Sequence, residues 1–279
     1  MILRKKLRIA PPPDKFTLTH SKSGLLYFFK YILYDSDMAH HIKKGFTLAE
    51  VLITLGIIGI VASMTMPSLI QNHKEKETVA KLKKINSVLS QALISAINES
   101  GTTVDQWNLE GGDSKNGSQY LVDNYFKPYF KIADNCLNIK TCIGSNKYIY
   151  LNGTPHISYD GQGNYKHLVL ADGTLIIFHV SSTFKTCSKN NNCAEIFVDT
   201  NGYYKGPNQF GKDFFVFSMK KDKIIPYGTK QDVPNFSLHC NKTKGSGYGL
   251  SCGAWVLAYE NMDYLHCDDL EWGKKIKCK

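Results

Sequence analysis

The chain has 279 residues, 43% of them hydrophobic and 21% charged, with a formal net charge of +10 at pH 7. That balance excludes a disordered polymer and sets one or two folded domains. The charge is lopsided. Residues 1–45 hold nine Lys and Arg against three Asp, so a general nucleic-acid footprint on the remainder is weak.

In chain order, residues 1–37 offer little structure. Pro11-Pro12-Pro13 punctuates them, and LLYFFKYIL (Leu25–Leu33) is too short to span a bilayer. Met38 opens MAHHIKKG, a short basic leader, and residues 1–37 are expected to be a start-site artefact. From Phe46 to Ile70 the sequence FTLAEVLITLGIIGIVASMTMPSLI is apolar. As a helix it would be about 37 Å long, enough to cross a hydrocarbon core with some tilt. Lys43 and Lys44 precede it, so the positive-inside tendency places the N-terminus in the cytoplasm. A cleaved secretory signal would have a shorter apolar core and a small-residue site after it. A plain anchor leaves Glu50 unexplained, because a carboxylate in a membrane helix costs on the order of 3 kcal/mol and needs a partner.

Lys-Gly before Phe46, then Thr47, Leu48 and Glu50, a small and apolar run with Gly59, and Pro67 near its end resemble the N-terminal segment of type IV pilins and type II secretion pseudopilins. The resemblance implies cleavage between Gly45 and Phe46 by prepilin peptidase, methylation of the new Phe46 terminus, and pairing of Glu50 with a neighbouring subunit's terminus during assembly. It also implies an α+β, pilin-like fold: a long N-terminal helix packed on an antiparallel β-sheet in a disulfide-stapled head. The implied partners are other pilin or pseudopilin subunits, prepilin peptidase, the inner-membrane assembly platform and membrane lipid. The implied place is the inner membrane, single-pass with the head outside, and then a periplasmic or extracellular filament.

Beyond Pro67, Val79, Leu82, Ile85, Leu89, Leu93 and Ile97 recur at intervals of three and four, which predicts one apolar helical face. Pro67 is expected to loosen rather than end the helix, and Gly101 is the expected stop. The whole helix would then be about 80 Å long. The expected organisation is a leader over 1–45, a membrane or filament-core helix over 46–70, its amphipathic continuation over 71–100, and a head over 101–279.

In the head, Tyr120–Ile132 reads as helical until Pro128 limits it. KHLVLADGTLIIFHV (Lys166–Val180) is a hairpin signal around Asp172-Gly173. Glu195–Gly202 and Asp213–Met219 read as strands, while the tail SCGAWVLAYENMDYLHC is open between helix and strand. All eight cysteines lie in the head: Cys136, Cys142, Cys187, Cys193, Cys240, Cys252, Cys267 and Cys278. Their even number and the absence of C-x-x-C favour disulfides in an oxidising compartment over zinc. Pairing of sequence neighbours is one of 105 connectivities.

The stretch VDTNGYYKGPNQFGKDFFVF (Val198–Phe217) is similar to the region where major pseudopilins bind calcium in an Asp-rich loop. The implied donors are Asp199, Asn201 and Asp213, plus backbone carbonyls, and two carboxylates are thin for an ion that takes six to eight oxygens. Turns at Asn201-Gly202 and Gly206-Pro207 account for the same residues without a metal. GLSCG (Gly249–Gly253) matches G-x-S-x-G, but it lacks the strand–turn–helix context, and Asp263 and His266 follow too closely. No catalytic residues are assigned, and the expected function is a structural subunit. A minor pilin binding DNA or a surface is the alternative, with Lys140, Lys147, Lys166, Lys185 and Lys189 as its candidate basic residues.

Overall fold

A computed structural model describes residues 46–107, 109, 114–134, 148–156, 165–180, 187, 192–231, 233–243 and 248–278. The leader up to Gly45, Cys136 and Cys142 lie outside the described residues. The chain divides into two compact units, Met1–Val61 and Ala62–Lys279.

Helix α1 runs from Leu48 to Ser100 and contains Pro67, which does not end it. It includes a window long and apolar enough to cross a membrane, none of which is buried among the described residues. In the first unit, Leu52, Ile53, Leu55, Ile57 and Ile60 are all exposed. Within the second unit, Val79, Leu82, Ile85, Leu89 and Leu93 are buried, as their spacing requires, and Ala92 and Ala96 join them. Each fully buried leucine contributes roughly 2 kcal/mol. Gly101 closes α1 in the left-handed region, φ +67°, donating its N–H to Ile97 O at 2.9 Å. Glycine adopts that conformation without a Cβ penalty.

Helix α2 (Ser114–Leu121) continues through a π-turn, Val122–Phe126, into a 3-10 turn, Lys127–Tyr129. The helical segment thus begins six residues before the expected Tyr120, and Pro128 sits in its last turn. Among the described residues six strands follow: β1 (Ile132–Asp134), β2 (Tyr165–Leu170), β3 (Leu175–His179), β4 (Ala194–Asp199), β5 (Phe214–Met219) and β6 (Ile224–Pro226). They form one antiparallel sheet in chain order. The β2–β3 turn is at Asp172-Gly173, where Gly173 has φ +85°. The fold is α+β and pilin-like: a long N-terminal helix on an antiparallel sheet.

Register sorts the strand residues. Leu168, Ile176, Val198 and Phe215 pair across the sheet and share one cluster with the α1 stripe. Ile177, Phe197 and Val216 form the other face with Tyr148, Tyr203 and Phe210. Burial on both faces is why β5, FFVFSM, lacks alternation. Lys166 pairs with Phe178 on the α1-side face and is 9% exposed. This corrects its reading as part of a solvated basic patch; the other four candidate lysines lie outside the described residues.

The tail resolves as helix. After a short α3 (Phe236–His239), α4 covers Cys252–Tyr259. Trp255 is fully buried between Phe236, at 4.1 Å between ring centroids, and Trp272, at 5.3 Å. Its indole N–H donates to Asn261 Oδ1 at 3.0 Å. Disulfides join Cys187 to Cys193, Cys240 to Cys252, and Cys267 to Cys278.

Candidate functional site

The first candidate is the start of α1. Phe46 and Thr47 precede the helix and are exposed. The N-terminal amides of a helix lack intrahelical acceptors, so a side chain must supply them. Here Thr47 and Glu50 cap each other. Thr47 N–H donates to Glu50 Oε2 at 2.9 Å, the Thr47 hydroxyl donates to the same oxygen at 3.0 Å, and Glu50 N–H donates to Thr47 Oγ1 at 3.2 Å. This reciprocal arrangement is a capping box. Glu50 is the only acidic residue of the first turn, where the helix dipole favours negative charge. The carboxylate is therefore held on its own helix, one turn from Phe46, where a cationic terminus could approach it. Pro67 lies well along the same helix and makes no part of this cap; Gly45 lies outside the described residues.

Residues 41–66 match the prokaryotic N-terminal methylation motif, the cleavage and methylation signal of type IV prepilins and pseudopilins. Residues 68–246, well over half of the chain, match a family of unknown function, DUF6613. The chain belongs to DUF6613. No curated protein and no solved structure matches it. The DUF6613 match, which begins within α1, thus follows the prepilin-type match with one residue between the two. The motif marks this chain as a pilin-like or pseudopilin protein of the kind processed by prepilin peptidase. Its apolar helix fits an inner-membrane-anchored precursor.

The second candidate is the loop between β4 and β5. The structure brings Asp199, Asn201 and Asp213 together. Asp199 Oδ1 accepts N–H groups from Asn201 at 3.2 Å and Gly202 at 2.9 Å, and Oδ2 accepts the Tyr148 hydroxyl at 3.0 Å. Asp213 Oδ1 accepts Gln209 N–H at 2.7 Å; Oδ2 accepts Asn208 N–H at 2.9 Å and Asn201 Nδ2 at 3.4 Å. Both aspartates are buried. Burial, then the charge of Asp213, pushes the Asp199 carboxyl up to about 7. Burial likewise raises Asp213.

This donor set does not fit calcium. Six N–H and O–H groups occupy most of the lone-pair directions of the two carboxylates, which a cation would need. Two amide oxygens, Asn201 Oδ1 and Asn208 Oδ1, are buried without a partner, so the rest of a shell of six to eight would have to come from backbone carbonyls. The residues that sequence reasoning missed are Tyr148, 51 positions away, and Asn208, whose φ is +54°. Only the unusual run of Asn and Gly after β4 hinted at the second.

The serine motif does not assemble a triad. Ser251 is fully buried, and an added Cβ on Gly228 would lie only 2.2 Å from the Ser251 Cβ. Asp263 Oδ2 accepts the Cys278 N–H at 2.7 Å, and His266 Nε2 lies 2.9 Å from Glu75. The acid and imidazole that a nucleophile needs are therefore engaged elsewhere.

Proposed function

We propose that this chain is a structural subunit of a type IV pilus-like or type II secretion pseudopilus filament. Prepilin peptidase cuts between Gly45 and Phe46, the new terminus is methylated, and residues 46–70 anchor the protein before entering a filament core. Residues 71–100 continue that helix under a head spanning 101–279, which lies outside the inner membrane. The observation that carries this reading is the methylation motif at 41–66 running directly into a helix whose apolar window is exposed among the described residues. An apolar surface of that extent needs lipid or other helices around it. The assembly partners are then other subunits and the inner-membrane platform.

Glu50 has the assembly role in this reading, with Thr47 holding it in place. The test is mass spectrometry of the N-terminal peptide from native membranes, together with two variants. An N-methyl-Phe46 terminus supports the proposal. Gly45→Ala should leave the precursor uncut, whereas Glu50→Ala should be cut but excluded from filaments. Normal incorporation of Glu50→Ala would refute the assembly role. A DNA- or surface-binding minor subunit would share the same anchor, but Lys166 is buried and no observation favours that second reading.

A further inference from the structure

Five Asn-x-Ser/Thr sequences occur in the head and the end of α1: Asn98, Asn116, Asn152, Asn235 and Asn241 each begin one. Such a sequence is a glycosyl acceptor only on an accessible surface outside the cytoplasm. Asn98 and Asn116 lie within α1 and α2. Asn235 precedes α3, makes no capping hydrogen bond, and its third residue is already helical.

The remaining two share one geometry. Asn152 Oδ1 accepts the Thr154 N–H at 2.9 Å and the Thr154 hydroxyl at 2.7 Å. Asn241 Oδ1 accepts the Thr243 N–H at 2.8 Å and the Thr243 hydroxyl at 3.1 Å. In both, the side chain folds onto the third residue of its own sequence. An amide nitrogen is a poor nucleophile because its lone pair is delocalised into the carbonyl. Two hydrogen bonds onto Oδ1 stabilise the negative oxygen that develops when Nδ2 gives up a proton, so they favour the reactive form.

Access separates the two. Asn241 is 4% exposed. Asn152, Gly153, Thr154 and Pro155 are all exposed. Gly153 has φ +86°, and a Cβ placed there would meet nothing within 4 Å. The tip is also held in place. Tyr150 N–H donates to Thr154 O at 2.8 Å, Ile149 bridges Pro155, and Leu151 beneath is 1% exposed.

We propose that Asn152 is an N-glycosylation site. Its Nδ2 attacks C1 of a sugar activated as a lipid-linked glycosyl phosphate. The Nδ2–C1 bond forms, the C1–O bond to phosphate breaks, the lipid phosphate leaves, and a base of the transferase takes the amide proton. Nothing is oxidised or reduced. The proposal rests on the head lying outside the cytoplasm, as the filament reading requires.

The experiment is tryptic mass spectrometry of the protein from its native envelope. The peptide between Lys147 and Lys166 contains no other Asn-x-Ser/Thr sequence. A glycan mass increment on it is expected. The increment should disappear in Asn152→Gln and in Thr154→Val, and persist in Asn241→Gln. An unmodified Asn152 peptide overturns the proposal, and an increment surviving Thr154→Val overturns the argument from geometry. The N-terminal peptide of the same sample reports cleavage at Phe46 separately, so failure here is distinguishable from failure of the filament reading.

Discussion

Asn in place of Asp199 should change how stability depends on pH, by an amount the site itself sets. Asp199 is fully buried, and its carboxyl titrates near 7 instead of 3.8. A folded-state pKa above the unfolded one means that the folded protein binds the extra proton. Stability is then fully present below the unfolded value and is lost as pH rises through the folded value. Between pH 5 and pH 7 that loss is about 2 kcal/mol, and by pH 8 it approaches about 3 kcal/mol, at 1.36 kcal/mol per unit. Among the described residues, the titratable groups facing Asp199 are Asp213 and Tyr148, and neither is a cation that would offset the charge.

The wild-type curve alone would hide this. Burial holds His156 and His167 down to about 4. A depressed histidine pKa costs stability as pH falls below 6.5, opposing the aspartate. The difference between variant and wild type isolates Asp199, because both chains carry the histidines. Asn preserves the shape and can accept the Asn201 and Gly202 amides, while the Tyr148 hydroxyl can turn from donor to acceptor. Urea unfolding in detergent, followed by tryptophan fluorescence, should show Asp199→Asn gaining about 3 kcal/mol on wild type between pH 5 and pH 8. A difference that is constant across that range would refute the reasoning.

Leu89→Ala, in the middle of the buried α1 stripe, should lower the unfolding free energy by about 2–5 kcal/mol in the same urea assay. Gly228→Ala should be at least as damaging, because its Cβ would meet Ser251 at 2.2 Å on a backbone with φ +75°; a melting temperature within a degree or two of wild type would contradict the packing described. Removing the Cys240–Cys252 bridge by double serine substitution opens a loop of 12 residues and should cost about 3 kcal/mol, read by calorimetry. Millimolar calcium, or a chelator, should leave the melting temperature unchanged; a rise on adding calcium would show that the β4–β5 loop takes a metal after all.

The parts legible in the sequence are those where one periodicity or one turn residue decides the outcome. The α1 stripe was visible because Val79 through Leu93 fall on one helical face. Ala92 and Ala96 were not, since alanine carries little hydrophobic signal, yet both are buried. Asp172-Gly173 announced the β2–β3 hairpin because a tight turn there needs a left-handed residue. Helix α4, CGAWVLAY, is apolar on every side, so spacing could not separate helix from strand. Lys166 was misread for a related reason: with both faces of the sheet covered, a polar residue in a strand no longer marks the solvent side. At the N-terminus, Glu50 was conspicuous as a lone charge in an apolar run, but its bond to Thr47 belongs to helix-end geometry. The Asp199 network was the least legible, because Tyr148 reaches it from 51 residues away.

The sheet's margins bear on how copies of this chain can associate. Among the described residues its two outermost strands, β1 and β6, are three residues each, and β6 ends in Pro226. A margin that short, closed on one side by a residue with no N–H, offers a poor template for an incoming strand. Growth by strand addition, the common route to unwanted aggregates, is thereby discouraged while the helix stays free to bundle. In the filament we propose, polymerisation would be confined to one type of secondary structure, and heads crowded side by side would remain separate folding units.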